Sequence, residues 1–402
     1  MSTRRLIAAA AGAALLAASA SPAVASTGLP VRLARALAVP HVAQSRSGAL
    51  AVDLASGATL FRRNDGVSLA PASTEKLAVT YAALAKLGPT FQIPTEVLGN
   101  GELDGPTWLG SVILKGYGDP TLDTFRLALL ARQIRAMGIT RITGGVRGDE
   151  TFFDARRVAS GWKPSFLINE SPPLSALVVD RGWFRGHVTV LPALAAATTF
   201  RDALRRAGVT VTGPVSTGPA GDDSFPLADV ESPPLAAIVR FMDHESDNFT
   251  AELLLKQLGA VGGGPGTSTA GARAVRETLG ADGIPLGGVR VVDGSGLSLL
   301  DRTTAKTLVS ILRAAWSNPA IQPSFFAALP VAGRSGTLSD RLERPPAVGR
   351  VVAKTGTTDR ASALSGFVAR RFAFAVIQNG YPIATAWARR AQDRFVTVLA
   401  AQ

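Results

Sequence analysis

The sequence predicts an α/β protein in which one domain is split by a smaller, strand-rich inserted module. Three observations carry this. Apolar helix-like runs sit towards both ends: LAVTYAALAKL near residue 80, then PLAAIVRFMDH and FTAELLLKQLG beyond residue 230. Near the C-terminus, GRVVAKTG, ASALSGFVA and RFAFAVIQN read as strands joined by short turns, hence as an antiparallel sheet. Between these regions, SVILKGYGDP, RITGGVRGDETFF and RGHVTVLP look like separate strands broken by Gly- and Pro-rich turns. The expected division is residues 26–98 plus 230–402 for the discontinuous domain, with 99–229 as the insertion.

The elements follow in order. The chain begins MSTRR, then LIAAAAGAALLAASASPAVAS, with small residues at Ala23 and Ala25. A basic start, a short alanine-rich apolar run and small residues describe a secretory signal, residues 1–25, cleaved after Ala25. An uncleaved membrane anchor is the other reading, disfavoured by the shortness of the run. GALAVDLASGATLFRRND then reads as a hairpin, with Ser-Gly at its turn. PASTEK opens a helix that is apolar nearly all round, as a buried helix is. Within the insertion, FRDALRRAGVTVTGPV adds a helix and a strand. After it, the Gly-rich AVGGGPGTST separates FTAELLLKQLG from GARAVRETLG, and a last helix, TAWARRAQDRFVTVLAAQ, is expected to pack on the C-terminal sheet.

Composition removes several kinds of chemistry. The 402 residues include no cysteine, so there is neither a catalytic thiol nor a disulfide framework, and the fold must rest on core packing. The three histidines, His41, His187 and His244, are far apart and show no metal-ligand spacing. No metal and no cofactor is implied. The formal charge of +12 becomes +10 once Arg4 and Arg5 leave with the signal. Its arginines are scattered rather than clustered with aromatics, which argues against nucleic acid. An anionic cell wall or membrane surface suits an exported basic chain, and compositional bias explains the charge equally well. No later stretch is long and apolar enough to span a bilayer.

Three short motifs carry the chemistry. Ser73 and Lys76 stand three residues apart at the start of the buried helix, on one helical face. A lysine held against a core loses solvation, becomes neutral more easily and can activate an adjacent serine. A second Ser-x-x-Lys, Ser160 to Lys163, contains Gly161 and precedes Pro164, so it should not form a helical face. Ser246-Asp247-Asn248 lies directly before a helix, and Lys354-Thr355-Gly356-Thr357 closes a strand. Taken singly, these are also ordinary caps and turns. In this order they form the set shared by class A β-lactamases and penicillin-binding proteins. Ser73 is the expected nucleophile, Lys76 its base and Ser246 the proton path to the leaving nitrogen. Asn248 is suited to a substrate amide. Lys354, Thr355 and Thr357 are suited to a terminal carboxylate. Backbone N–H groups of Ser73 and Thr357 are the expected oxyanion donors.

The chain resembles the D-alanyl-D-alanine carboxypeptidase/endopeptidase family of bifunctional, low-molecular-mass penicillin-binding proteins. Beyond the three motifs, the resemblance rests on GYGDPTLD, on RGDETFFD followed by GW, on ESPPLSALVVDRG, SPPLAAIVRFMDHESDN, DGSGLS and LPVAGRSGTLSDR. It implies a β-lactamase/transpeptidase-like serine acyltransferase domain interrupted between Ser73 and Ser246. It also implies action on peptidoglycan stem peptides in the periplasm or cell-wall space, with β-lactams as covalent inhibitors. Two departures stand out. HVTVLP runs almost directly into ATTFRDALRRAGV, so the insertion is shorter than the family's two modules. Leu299 follows DGSGLS where the family usually has arginine, which leaves a side-chain carboxylate to solvent, to another arginine such as Arg341, or to an amidated form of the substrate. Asp149 falls where the family places an acid near a substrate amine, and a plain turn aspartate is the equal alternative. The rivals are a β-lactamase, for which no Glu-x-x-Leu-Asn string occurs, and a non-catalytic penicillin sensor or wall-binding protein.

Overall fold

The computed structural model describes residues 28–402; the signal segment expected at residues 1–25 lies outside them. In chain order the elements begin with α1 (Leu29–Leu37), β1 (Ser47–Asp53), β2 (Thr59–Arg63) and, after a 3₁₀ turn at Ala72–Glu75, α2 (Lys76–Leu87). Next come β3 (Pro94–Asp104), β4 (Thr107–Gly116), α3 (Thr124–Ala136), β5 (Arg141–Ile142) and β6 (Val146–Asp149). A minimal hairpin, β7 (Trp183–Phe184) and β8 (His187–Val188), precedes α4 (Pro192–Arg206), β9 (Thr210–Val211), β10 (Val215–Thr217) and β11 (Phe225–Glu231). Helices follow: α5 (Leu235–Glu245), α6 (Asn248–Ala260), α7 (Ser268–Ala281), α8 (Ala305–Ser317) and α9 (Gln322–Ala328). The chain closes with β12 (Val351–Thr357), β13 (Ala361–Val368), β14 (Phe372–Asn379) and α10 (Thr385–Ala400).

The first sheet has five antiparallel strands in the order β12-β13-β14-β1-β2, so the N-terminal hairpin completes the C-terminal sheet. Every residue of β1 and β13 is buried, which explains their unbroken apolar runs: helices cover both faces. Ala373, Ala375 and Ile377 of β14 join the core formed with α2, α5, α6 and α8. The alternate residues Phe372, Phe374 and Val376 join the core formed with α1 and α10. Strand β12 lies at the edge of this sheet, leaving its outer side for the site described below.

The second sheet has seven strands and a path β10-β6-β4-β3-β11, with β5 and β9 attached beside β4. It runs from Pro94 to Glu231, a few residues past 99–229 at either end. Helices α3 and α4 supply its core through Leu127, Leu130, Ile134, Phe200 and Leu204. Strand patterning alone leaves α3 unread. Its N-cap Asp123 accepts from the Arg126 N–H and its stripe Leu127, Leu130, Ala131, Ile134 is buried. RGHVTVLP, expected as a strand, gives only the two-residue β7–β8 pair. Arg185 and Gly186 both have positive φ, closing a tight turn at once, and Pro192 then starts α4.

An ion pair with a buried lysine joins α6 to the segment after β6. Lys256 on α6 has no exposure, and its ammonium meets the Asp154 carboxylate beyond β6 and the Arg156 carbonyl at 3.2 Å. Removing one partner of such a pair strands the other charge. Asp154→Ala is expected to cost about 3–5 kcal/mol in urea unfolding. Asp154→Ala paired with Lys256→Met should cost clearly less. A single-variant loss below about 1 kcal/mol contradicts this account of the junction.

Candidate active site

Ser73, the expected nucleophile, sits on the 3₁₀ turn that feeds α2, not at a conventional helix cap; its side chain caps nothing. Ala72 just before it has φ +49°, a left-handed conformation costly for a residue with a side chain. The turn is over-determined from below by the segment Asp293–Ser298. Gly296 has φ +80°, and a Cβ there would lie 1.9 Å from the Ala72 carbonyl oxygen. On the other side β12 presses in equally closely. A Cβ on Gly356 would lie 3.0 Å from the Ser73 N and 2.9 Å from the Pro71 carbonyl oxygen. Only glycine at these two positions lets the backbone on both sides approach the serine.

Lys76 is fully buried. Its Nζ is 3.0 Å from Ser73 Oγ, 2.9 Å from Asn248 Oδ1 and 2.8 Å from the Ser295 carbonyl oxygen. Two of these partners can only accept. A neutral amine therefore donates its two hydrogens to Asn248 and Ser295 and turns its lone pair to the Ser73 hydroxyl. Burial lowers the Lys76 pKa to about 8, against the opposing pull of Asp293, Asp247, Asp243 and Glu252.

Ser246 ends α5 in the left-handed conformation, φ 58° and ψ 38°, and this swings its hydroxyl to Lys354. Lys354 Nζ donates to Ser246 Oγ at 2.8 Å and to the Thr355 carbonyl at 3.0 Å. Asp247, not Asn248, caps α6, and it also pairs with Arg181 at 2.5 Å. Asn248 Nδ2 donates to the Glu170 carbonyl at 3.1 Å, leaving one amide hydrogen free. Ser73, Ser246, Thr337, Thr355, Thr357 and Arg389 line one cavity of about 580 Å³. Thr355 Oγ1 donates to Thr337 Oγ1 at 2.8 Å, and Arg389 donates to Thr357 Oγ1 at 3.3 Å.

The structure places the remaining candidates as follows. Lys354 is wholly buried, and burial with the repulsion of Lys76 brings its pKa down to about 7, opposed by Asp243. Its amine donates to Ser246, which lines the cavity. Asp149, 1% exposed, accepts from Thr151 N and Oγ1 and from Ala220 N, so both its oxygens are used inside the insertion. It is a turn aspartate and does not line the cavity. Arg341 does line it, but its guanidinium is tied to Asp393 at 2.7 Å and Gln392 at 2.8 Å. The second Ser-x-x-Lys forms no helix: Lys163 pairs instead with Asp359 at 2.6 Å. Burial pushes His244 below its usual range, and it too lies outside the cavity. Among the described residues no cluster of three or more His, Asp or Glu is placed to hold a metal.

Several contributing residues were not singled out from the sequence. Buried Asp293 accepts from the Trp162 indole at 2.7 Å, from Ser295 Oγ and from Gly296 and Ser298 N–H, and so shapes the turn that offers its carbonyl to Lys76. Glu252 on α6 accepts from Gly294 and Ser295 N–H, and burial raises its pKa to about 8. Thr337 and Arg389 complete the cavity. Glu252 carried a signal like that of Lys76: an ionisable residue in a largely apolar helix.

The family model for D-Ala-D-Ala carboxypeptidase 3 (S13) matches residues 29–193 and 188–402. The chain belongs to this family. It is 32% identical to the D-alanyl-D-alanine carboxypeptidase of Actinomadura sp. (strain R39), over 85% of this chain and 79% of that one. Its fold resembles the crystal structure of penicillin-binding protein 4 (DacB) from Haemophilus influenzae, with a TM-score of 0.79, 24% identity and coverage of 92% and 98%. The same Haemophilus protein complexed with a β-lactam matches at a TM-score of 0.73 and 25% identity, over 91% and 97% of the chains. This S13 chain thus combines the serine–lysine pair and the β12 edge in a β-lactamase/transpeptidase-like architecture.

A lysine base would set a pH dependence. As the expected base, Lys76 would work only when neutral, and burial brings its pKa to about 8. Acylation of Ser73 is expected to quicken roughly tenfold per pH unit up to about pH 8, then level off. Stopped-flow measurement of acylation by a penicillin checks this. A rate that is flat across about pH 6 to 8 contradicts a lysine base.

Proposed function

We propose that this chain is a serine-type D-Ala-D-Ala carboxypeptidase acting on peptidoglycan stem peptides, with β-lactams as covalent inhibitors. The single observation behind it is the 3.0 Å contact between Ser73 Oγ and Lys76 Nζ, held by two acceptors that leave the lysine lone pair only the serine. Ser73 attacks the carbonyl carbon of the penultimate D-alanine, and Lys76 takes its proton. Backbone N–H groups of Ser73 and Thr357 face the developing oxyanion; losing one such donor typically costs about 10²–10³ in rate. Ser246, hydrogen-bonded to Lys354, passes a proton to the leaving nitrogen. The C–N bond breaks, D-alanine departs, and water hydrolyses the ester on Ser73. Asn248 offers its remaining amide hydrogen to the substrate backbone. Thr355 and Thr357 receive the terminal carboxylate beside Arg389, the cavity arginine without a carboxylate partner.

The N-terminal signal pattern supports export to the periplasm or cell-wall space. No helix among the described residues is long and apolar enough to cross a membrane. The endopeptidase activity belongs to the same chemistry, with a peptide amine replacing D-alanine as the leaving group. The β-lactamase rival differs in one step, rapid hydrolysis of the acyl-enzyme.

Incubated with benzylpenicillin, the protein should gain one adduct by intact mass, mapping to Ser73 and absent in Ser73→Ala. The adduct should persist, because the sequence has no Glu-x-x-Leu-Asn site for an activating water. An adduct on Ser160 would overturn the site, and fast steady-state turnover of a chromogenic cephalosporin would put the β-lactamase reading first.

A further inference from the structure

Helices α1 and α10 pack side by side and leave between them a groove of about 940 Å³. Arg32 and Arg35 of α1 and Arg389, Arg390 and Arg394 of α10 line it, and all five are exposed. The two helices together carry one acid, Asp393, and that carboxylate is held by Arg341. Among the described residues none of the five arginines forms an ion pair. Residues 1–27 contain no Asp or Glu that could neutralise them. Arg32 is instead held by the Gln402 side chain at 2.9 Å, and Arg390 lies over the Trp387 ring. The groove adjoins the catalytic cavity: Arg389 and Asp393 line both. Arg389 also donates to Thr357 Oγ1 at 3.3 Å, on the cavity side.

We infer that this groove is the subsite for the leaving strand of a cross-linked substrate, and that its arginines bind the carboxylates of that strand. The inference rests on the peptidase reading above. In carboxypeptidase action the leaving group is one D-alanine, which reaches no further than Thr357 and Arg389. In cleavage of a D-alanyl cross-link, the bond broken is again the C–N bond of the Ser73-bound alanine. The departing amine now belongs to a neighbouring stem peptide, which bears further free carboxylates. That acidic peptide has to leave the cavity past Arg389, and the groove is the basic exit there. Guanidinium groups fit carboxylates through paired, fixed donors.

The test compares two substrates with wild type and with the combined variant Arg32→Gln, Arg35→Gln, Arg390→Gln, Arg394→Gln, in which Arg389 is kept. One substrate is a monomeric stem peptide ending in D-Ala-D-Ala; the other is two stem peptides joined by a D-alanyl cross-link. Four exposed pairs of modest individual strength should lower kcat/KM for the cross-linked substrate about tenfold. The monomer, which also reports intact folding, should change less than about twofold. Raising salt to about 500 mM should slow wild type on the cross-linked substrate and leave the variant unaffected. Equal rates for wild type and variant on the cross-linked peptide overturn the inference, as do equal losses on both substrates. Wild type that cleaves the monomer but not the cross-link overturns it while the peptidase reading stands. Cleavage of neither, with no Ser73 adduct, removes the peptidase reading itself.

Discussion

A lysine buried without a carboxylate partner is the constraint on which the rest of the site depends. Lys76 has no exposure, and its three contacts are a hydroxyl, an amide oxygen and a backbone carbonyl. Desolvation makes its charge costly, so a neutral amine is within reach near pH 8. A direct ion pair would have fixed the proton on it. The acids nearby act at one remove: Asp293 and Glu252 bind the backbone that carries the Ser295 carbonyl. They hold the acceptor in place and temper the lysine without quenching it.

The surrounding fold delivers three unrelated chain segments to this point. The Ser73 turn is wedged between Gly296 and Gly356, and the left-handed Ser246 brings its hydroxyl to Lys354. The insertion contributes as well. Trp162 bonds Asp293, Glu170 bonds Asn248, Arg181 pairs with Asp247, and Lys163 with Asp359. Residues of the insertion therefore brace the Ser246–Asn248 motif directly and the turns at Asp293 and Asp359 beside the other two, and the Lys256–Asp154 pair anchors them to α6.

Much of this was legible in the sequence because it is local. Apolar runs and turn residues gave the hairpin β1–β2 and strands β12–β14, and spacing put Ser73 beside Lys76. What was illegible is set by distant segments. Nothing in KTGT says that Lys354 is buried against Ser246, and nothing near Asp149 says that Ala220 takes its second oxygen. Helix α3 was missed although its Asp cap and apolar stripe were present, because the strand patterns around it dominated the reading. Arg389 is one arginine among many until α10 folds back beside Thr357.

The most direct test of the account is what the purified protein releases from isolated peptidoglycan, followed by mass spectrometry. The account predicts free D-alanine, with stem pentapeptides converted to tetrapeptides, and no release by Ser73→Ala. Unaltered stem peptides, or D-alanine release that survives loss of Ser73, would contradict it.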